Sequence, residues 1–323
     1  MKLDVSADQH RLLSLCALRI GDATLDWSLL ARSAQSPEGL AALLDGQLRE
    51  DSPSRAATRN RPKLQQGLAA GLDAARARVD EELAAADRVG ARLVTVLDED
   101  YPANLRMIGN LPPFLFHLGE LDRRDARSIA VVGTREASEE GTRRAARMAR
   151  ELVEHDVVIA SGLAKGIDAA AHRATLDAGG RTFAVMGTGI AAPLYPAENR
   201  PLAKAILTAG GALLSQFWPT SPPARYTFPR RNVVTSGTTL GSVVIEASST
   251  SGAKMQARLA VEHGKLVFLI RSLTDSQLWA RKMIEEHRAI LVTASSDITG
   301  RLAQAADIQR AGQQRQQLAL VGP

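Results

Sequence analysis

The chain has 323 residues, 45% of them hydrophobic and 23% charged, which is enough for one large core and a smaller module. Lysine and arginine total 40 against 35 aspartates and glutamates, a formal charge of +5 that leans modestly towards a polyanionic partner, while 4% aromatic content argues against a broad base-stacking platform. One cysteine, Cys16, excludes an internal disulfide framework and six scattered histidines argue against a metal site; with no membrane-length apolar run and no uninterrupted signal core, the expected location is cytoplasmic.

Residues 1–87 read as helical throughout, in short apolar-periodic pieces such as "RLLSLCALRI", "DWSLLARSA" and "PEGLAALLDGQL" split by Gly, Asp and Pro. The basic stretch "DSPSRAATRNRPKLQQ" at 51–66 reads first as an exposed connector and second as a phosphate-touching loop. The alanine-rich helix "GLDAARARVDEELAAADRVGA" follows. After it, "RLVTVLDEDYPANLRMIGNLPPFLFHLGEL" holds a strand, a Pro-bounded turn, a short helix and a Pro-Pro break.

From residue 128 the pattern changes to short β-branched runs separated by helix-length amphipathic stretches: "SIAVVG", "DVVIASG", "TFAVMGTG", "GALLSQ", "GSVVIEAS", "KLVFLI" and "AILVT". Continuous apolar strands alternating with helices imply a parallel sheet covered on both faces. The expected class is α/β, an extended Rossmann-like, doubly wound, mostly parallel sheet with a small N-terminal helical domain. The expected divisions are 1–87, 88–308 and a polar tail at 309–323.

In open α/β sheets, ligands meet the loops beyond the carboxyl ends of the strands, so the residues there carry the functional reading. The first strand ends in Gly133, Thr134 and Arg135: close backbone approach, a hydroxyl and a bidentate phosphate donor. The following helix buries Ala145, Met148, Ala149, Leu152 and Val153 and turns Arg143, Arg147 and Arg150 to solvent. The second strand ends in Ser161 and Gly162, and Ile167, Ala170, Ala171 and Ala174 make the buried stripe of the next helix. Lys165, Asp168 and His172 then share the opposite side, as a solvated face with an Asp168–His172 pair or as supports of a site. Lys165 in a helix's first turn opposes the macrodipole, a conflict that a bound phosphate would remove. Gly187 and Gly189 open a third close-approach turn. A long Pro-rich loop then sets Arg225, Arg230 and Arg231 among Tyr226 and Phe228, charge for a phosphate backbone and a face for a base. Glu246 ends a later strand, and Ser251 and Gly252 start another helix with a phosphate-sized nest. No G-x-S-x-G elbow, P-loop or G-x-G-x-x-G after the first strand is present, so the turns point to binding, with no catalytic residue, metal or cofactor expected.

"VVGTREAS", "ASGLAKGIDAAAH", "MGTGI…YPAEN", "FPRRN" and "VVIEASSTSGAKMQA" occur in the order and approximate spacing of the DNA-processing protein A (DprA/Smf) family, which the chain resembles over residues 95–300. The resemblance implies a non-catalytic protein that binds single-stranded DNA in a basic pocket, protects incoming strands and helps load a RecA-type recombinase in natural transformation, with a homodimer expected. Carried over, Arg135 matches the family's G-[ST]-R turn, Lys165 its SGLA-x-GID block, and Phe228, Arg230, Arg231 and Asn232 its FP-x-RN loop. Val233 stands where the family usually continues with Arg or Lys, and the winged-helix-like C-terminal module of many members is expected to be missing. The alternative is a nucleotide-binding sensor or a phosphoribohydrolase-like protein of the same fold family, serving in defence against foreign DNA. "SGTTLGSVVIEAS" lacks the PGG-x-GT-x-x-E run of such hydrolases.

Overall fold

The computed structural model describes residues 3–48 and 54–302. Helix α1 (Ala7–Ala17) starts at a capping box in which Ser6 and Gln9 satisfy each other's backbone. Residues 19–24 depart from the all-helical expectation: β1 (Arg19–Ile20) and β2 (Ala23–Thr24) pair antiparallel around Gly21, whose φ of +60° suits a tight reversal. Helices α2 (Trp27–Ser33) and α3 (Pro37–Leu44) follow, capped by Asp26 and Ser36.

The stretch expected as a connector is instead largely helix α4 (Arg55–Ala69). Ser54 Oγ accepts from Ala57 N at 3.1 Å, and Ala57, Leu64 and Gly67 are buried on one face while Arg55, Arg59 and Arg61 stay in solvent. The cap and the sparse apolar stripe outweigh Pro62, which reads as a breaker but sits inside the helix. Residues 51–53 of that stretch, and the tail at 309–323, lie outside the described residues. Helix α5 (Asp73–Arg88) follows.

Strand β3 (Arg92–Thr95) pairs antiparallel with β4 (Phe114–Gly119), a strand missed in the sequence because the Pro-Pro break hid the apolar run after it. The seven expected strands then appear, with helices between most of them: β5 (Ser128–Val132), α6 (Glu139–Val153), β6 (Val158–Ser161), α7 (Ile167–Asp177), β7 (Thr182–Val185), α8 (Arg200–Thr208) and β8 (Ala212–Ser215). The second half runs α9 (Thr227–Thr238), β9 (Gly241–Val244), α10 (Gly252–Glu262), β10 (Leu266–Ile270), α11 (Arg271–Ser276), α12 (Leu278–Glu285), β11 (Ile290–Val292) and α13 (Ser296–Thr299). The strands join one 9-stranded sheet in the order β11-β10-β9-β5-β6-β7-β8-β4-β3, parallel from β11 to β8 and antiparallel at β4 and β3. This is the expected doubly wound, mostly parallel α/β fold with a helical N-terminal region.

Alternation along β6 separates two cores. Val158 and Ala160 join one that runs through Leu12, Leu29, Leu64, Phe114 and Trp218, whereas Ile159 joins another with Ala145, Ile167 and Ala257. The N-terminal helices therefore pack into the same apolar interior as one face of the sheet.

Candidate nucleic-acid interface

The chain leaves β8 at one side of the sheet and returns through α9 to place β9 beside β5. That reversal of strand order opens a crevice beyond the carboxyl ends of β5 and β9. Three turns are stitched together there. Thr134 N donates to the Glu246 carbonyl at 2.7 Å, and Ile167 N donates to the Thr134 carbonyl at 3.3 Å. Gly133 is required by this closeness, because a Cβ on it would lie 2.3 Å from Ile167 Cγ1.

Lys165 is not in the first turn of α7. It lies two residues ahead of Ile167, before Gly166, whose φ of +73° and 2.4 Å approach of an added Cβ to the Thr134 carbonyl reserve the position for glycine. Lys165 Nζ donates to Glu198 Oε1 at 2.6 Å, so a carboxylate answers the cation. This bond raises the lysine above its ordinary pKa and lowers Glu198, although both side chains are exposed.

Asp168 and His172 are not a solvated pair. Asp168 is 4% exposed, and its Oδ2 accepts from the N–H groups of Gly162 and Ala164 at 3.0 and 3.4 Å. Burial pushes its carboxyl up, against the pull of the Arg231 charge and those N–H donors. His172 is wholly buried and meets Thr182 Oγ1 at 2.7 Å through Nδ1. Small alanines on the expected buried stripe let the side bearing Asp168, His172 and Thr175 sink as well, while Arg173 and Asp177 stay exposed.

Residues 227–238, expected in a long loop, form α9. Pro229 falls in its first turn, where its missing N–H would have no intrahelical partner. Phe228 and Arg231, three residues apart, thus share a side of the helix. The Arg231 guanidinium is buried, with Nη1 donating to the Val185 carbonyl at 3.1 Å and Nε to Asn232 Oδ1 at 3.0 Å. Arg135 Cζ stands 4.8 Å from the Phe228 ring centroid, a cation over an aromatic face.

The crevice is a pocket of about 340 Å³. From the turn after β5 it takes Gly133, Thr134 and Arg135; from the β6–α7 turn Gly162 and from the first turn of α7 Asp168; from α9 Phe228, Arg231 and Asn232; and from the start of α10 Ser251 and Gly252. A smaller recess of about 40 Å³ adjoins it, where Lys165 and Gly187 meet Arg135, Phe228 and Tyr195. Ser251 caps α10 through a 3.3 Å bond from Lys254 N.

Five expected residues do not line the pocket. Ser161 Oγ donates to the Val131 carbonyl at 2.7 Å inside the sheet, and His172 is core. Gly189 is buried, its N–H donating to the Ser221 carbonyl at 2.8 Å. Glu246 holds the start of α6, accepting from Ser138 N at 3.2 Å and Ser138 Oγ at 2.8 Å. Arg230 turns to the opposite side of α9, over the Trp27 ring. Tyr195 and Gln256 were missed. Tyr195 is 45% exposed with its ring 5.5 Å from Phe228, and an aromatic in a strand-end loop was the available signal. Gln256 lies on α10 one turn beyond Gly252, which only the helix register reveals.

The model of the DNA recombination-mediator protein A family matches residues 92–303. The chain is 38% identical to DNA processing protein DprA of Streptococcus pneumoniae over 205 residues, 63% of this chain and 72% of that protein. It is 39% identical over 190 residues to Protein Smf of Synechocystis, of whose length it spans 47%. The X-ray structure of the S. pneumoniae protein superposes with a TM-score of 0.71 at 29% identity, covering 94% of this chain and all of that one. DNA processing protein A of Helicobacter pylori, whose structure was described for its single-stranded DNA binding mode, shares the fold with a TM-score of 0.57 at 23% identity over 64% of this chain. With about two thirds of its length matched by the family model, the chain belongs to the DNA recombination-mediator protein A (DprA/Smf) family.

Proposed function

We propose that this protein binds single-stranded DNA in the crevice between β5 and β9, protects the strand and passes it to a RecA-type recombinase, acting as a homodimer without catalysis. One observation carries the reading: cations and an aromatic ring from separate strand ends, Arg135, Arg231 and Phe228, meet in a single pocket at the sheet's reversal. Phosphates would take Arg135, Lys165 and the Ser251–Gly252 helix start, and a base would stack at Phe228.

A mononucleotide would also fit about 340 Å³, which keeps a sensor as the second reading. The hydrolytic version gains no support, because the Glu246 carboxylate is engaged in holding Ser138. Fluorescence anisotropy of labelled oligo-dT across a salt series separates strand from nucleotide. About four phosphate contacts give a log K against log[salt] slope of roughly −3. A flat dependence, with nucleotides raising the melting temperature, would replace the DNA reading by the sensor.

A further inference from the structure

On the other side of the start of α9, the N-terminal helices enclose a second cavity of about 570 Å³. Among the described residues its walls hold the cations Arg19, Arg59, Lys63, Arg78 and Arg230 and a single carboxylate, Asp26. Asp26 is already used as a helix cap, accepting from Ser28 N at 2.9 Å and Leu29 N at 3.3 Å. Among the described residues, none of the five cations forms an ion pair.

Two of the cations lie on an aromatic floor. Arg230 Cζ lies 5.5 Å from the Trp27 ring centroid and Arg78 Cζ 5.6 Å from that of Trp218. The two indoles meet edge to face at 5.8 Å, and Trp27 Nε1 donates to the Cys16 carbonyl at 3.0 Å. The walls are tied down too. Glu82 accepts from Thr220 N and Oγ1, joining α5 to the loop before α9, and Asp26 N donates to Asn60 Oδ1 at 3.0 Å, joining α4 to α2. Like charges crowded in a fixed cavity repel unless a polyanion neutralises them.

The first turn of α9 is the wall common to both cavities. Phe228 and Arg231 face the crevice, whereas Tyr226 and Arg230, four residues apart, line the second cavity. Tyr226 is 64% exposed, a free aromatic face at the crossing. We propose that the second cavity holds a further segment of the same single strand, with phosphates on Arg59 and Lys63 and a base against Tyr226. The proposal rests on the reading that the crevice itself binds single-stranded DNA.

The test is anisotropy with 5′-labelled oligo-dT of about 6 and about 25 nucleotides, a range spanning one small site to several. Wild type is compared with the double variant Arg59→Ala/Lys63→Ala and with Lys63→Arg, which keeps the charge. Melting temperatures check that each variant folds. The short oligonucleotide should bind wild type and double variant alike. The long one should bind the double variant about tenfold more weakly, with a salt slope shallower by about 1.4, that is about 0.7 for each of two phosphates. Lys63→Arg should match wild type. Unchanged binding of the long oligonucleotide would overturn the second segment, and so would equal loss at both lengths. Failure of wild type to bind either length would instead sink the DNA reading of the crevice, and the second segment with it.

Discussion

Gly162 and Arg231 compete for one space: a Cβ on the glycine would stand 1.4 Å from Nη1 and 2.2 Å from Cζ of the arginine. The β6–α7 turn and the first turn of α9 fit together because position 162 has no side chain. Gly162→Ala should drive the guanidinium off the Val185 carbonyl and out of the crevice. The expected loss of oligo-dT affinity equals that of Arg231→Ala, about 1–3 kcal/mol for a charged hydrogen-bonding group. Combining the two changes should add almost nothing. Additive losses in anisotropy would show that the two residues act separately.

Phe228 separates stacking from charge. A base on its ring predicts that Phe228→Ala weakens oligo-dT by about 1–3 kcal/mol. The same variant should bind an abasic oligonucleotide of equal length much as wild type does. Equal losses on both would mean that the ring only positions Arg135, whose guanidinium lies 4.8 Å from it.

Glu198 is the natural competitor of a phosphate for Lys165, since their 2.6 Å bond is formed at the surface. Glu198→Gln is therefore predicted to tighten binding a few-fold, while Lys165→Ala weakens it equally for all sequences and makes the salt slope shallower by about 0.7. If Glu198→Gln weakens binding, the ion pair is serving to orient the lysine, and the competition model fails.

Stability should fall in acid through His172. Burial, with the Arg231 charge adding to it, holds this imidazole down to about 3 from an ordinary 6.5. The unfolded chain takes up a proton that the folded chain refuses, so the contribution is complete above 6.5 and drains as the pH drops towards 3. The slope is about 1.4 kcal/mol per pH unit for one such group. Asp168, raised by its burial, acts with the opposite sign above its unfolded 3.8, so the histidine is read by difference. Urea unfolding of His172→Asn between pH 7 and 4 should show less acid sensitivity than wild type, and parallel curves would remove His172 from the account.

The sheet was legible because a parallel strand covered on both faces must be apolar along its whole length, and "SIAVV", "VIAS" and "LVFLI" could hardly be anything else. The crevice was legible for a related reason: strand ends are fixed once strands are, and Gly133 and Gly162 stand just beyond two of them. Side-chain direction was not. Asp168 and His172 have the spacing of a solvated face, but the alanines beside them let α7 sink into the sheet. Arg230 and Arg231 are adjacent in sequence and face different cavities, which depends on residues 227–238 being a helix. Helix α4 was obscured by Pro62 and by a basic surface with few apolar anchors.

The apolar interior shared by the N-terminal helices and the sheet has a consequence for how the protein comes apart. Leu12, Leu29, Leu40, Leu64 and Val79 are in continuous contact with the cluster that holds Phe114, Phe116 and Trp218. Excising residues 1–87 would leave those aromatic rings in water, and the remnant would fail for want of solubility before any activity could be judged. Calorimetry should accordingly record one melting event rather than two. Assigning work to the N-terminal part is then a matter of altering its surface a residue at a time, with the interior left whole.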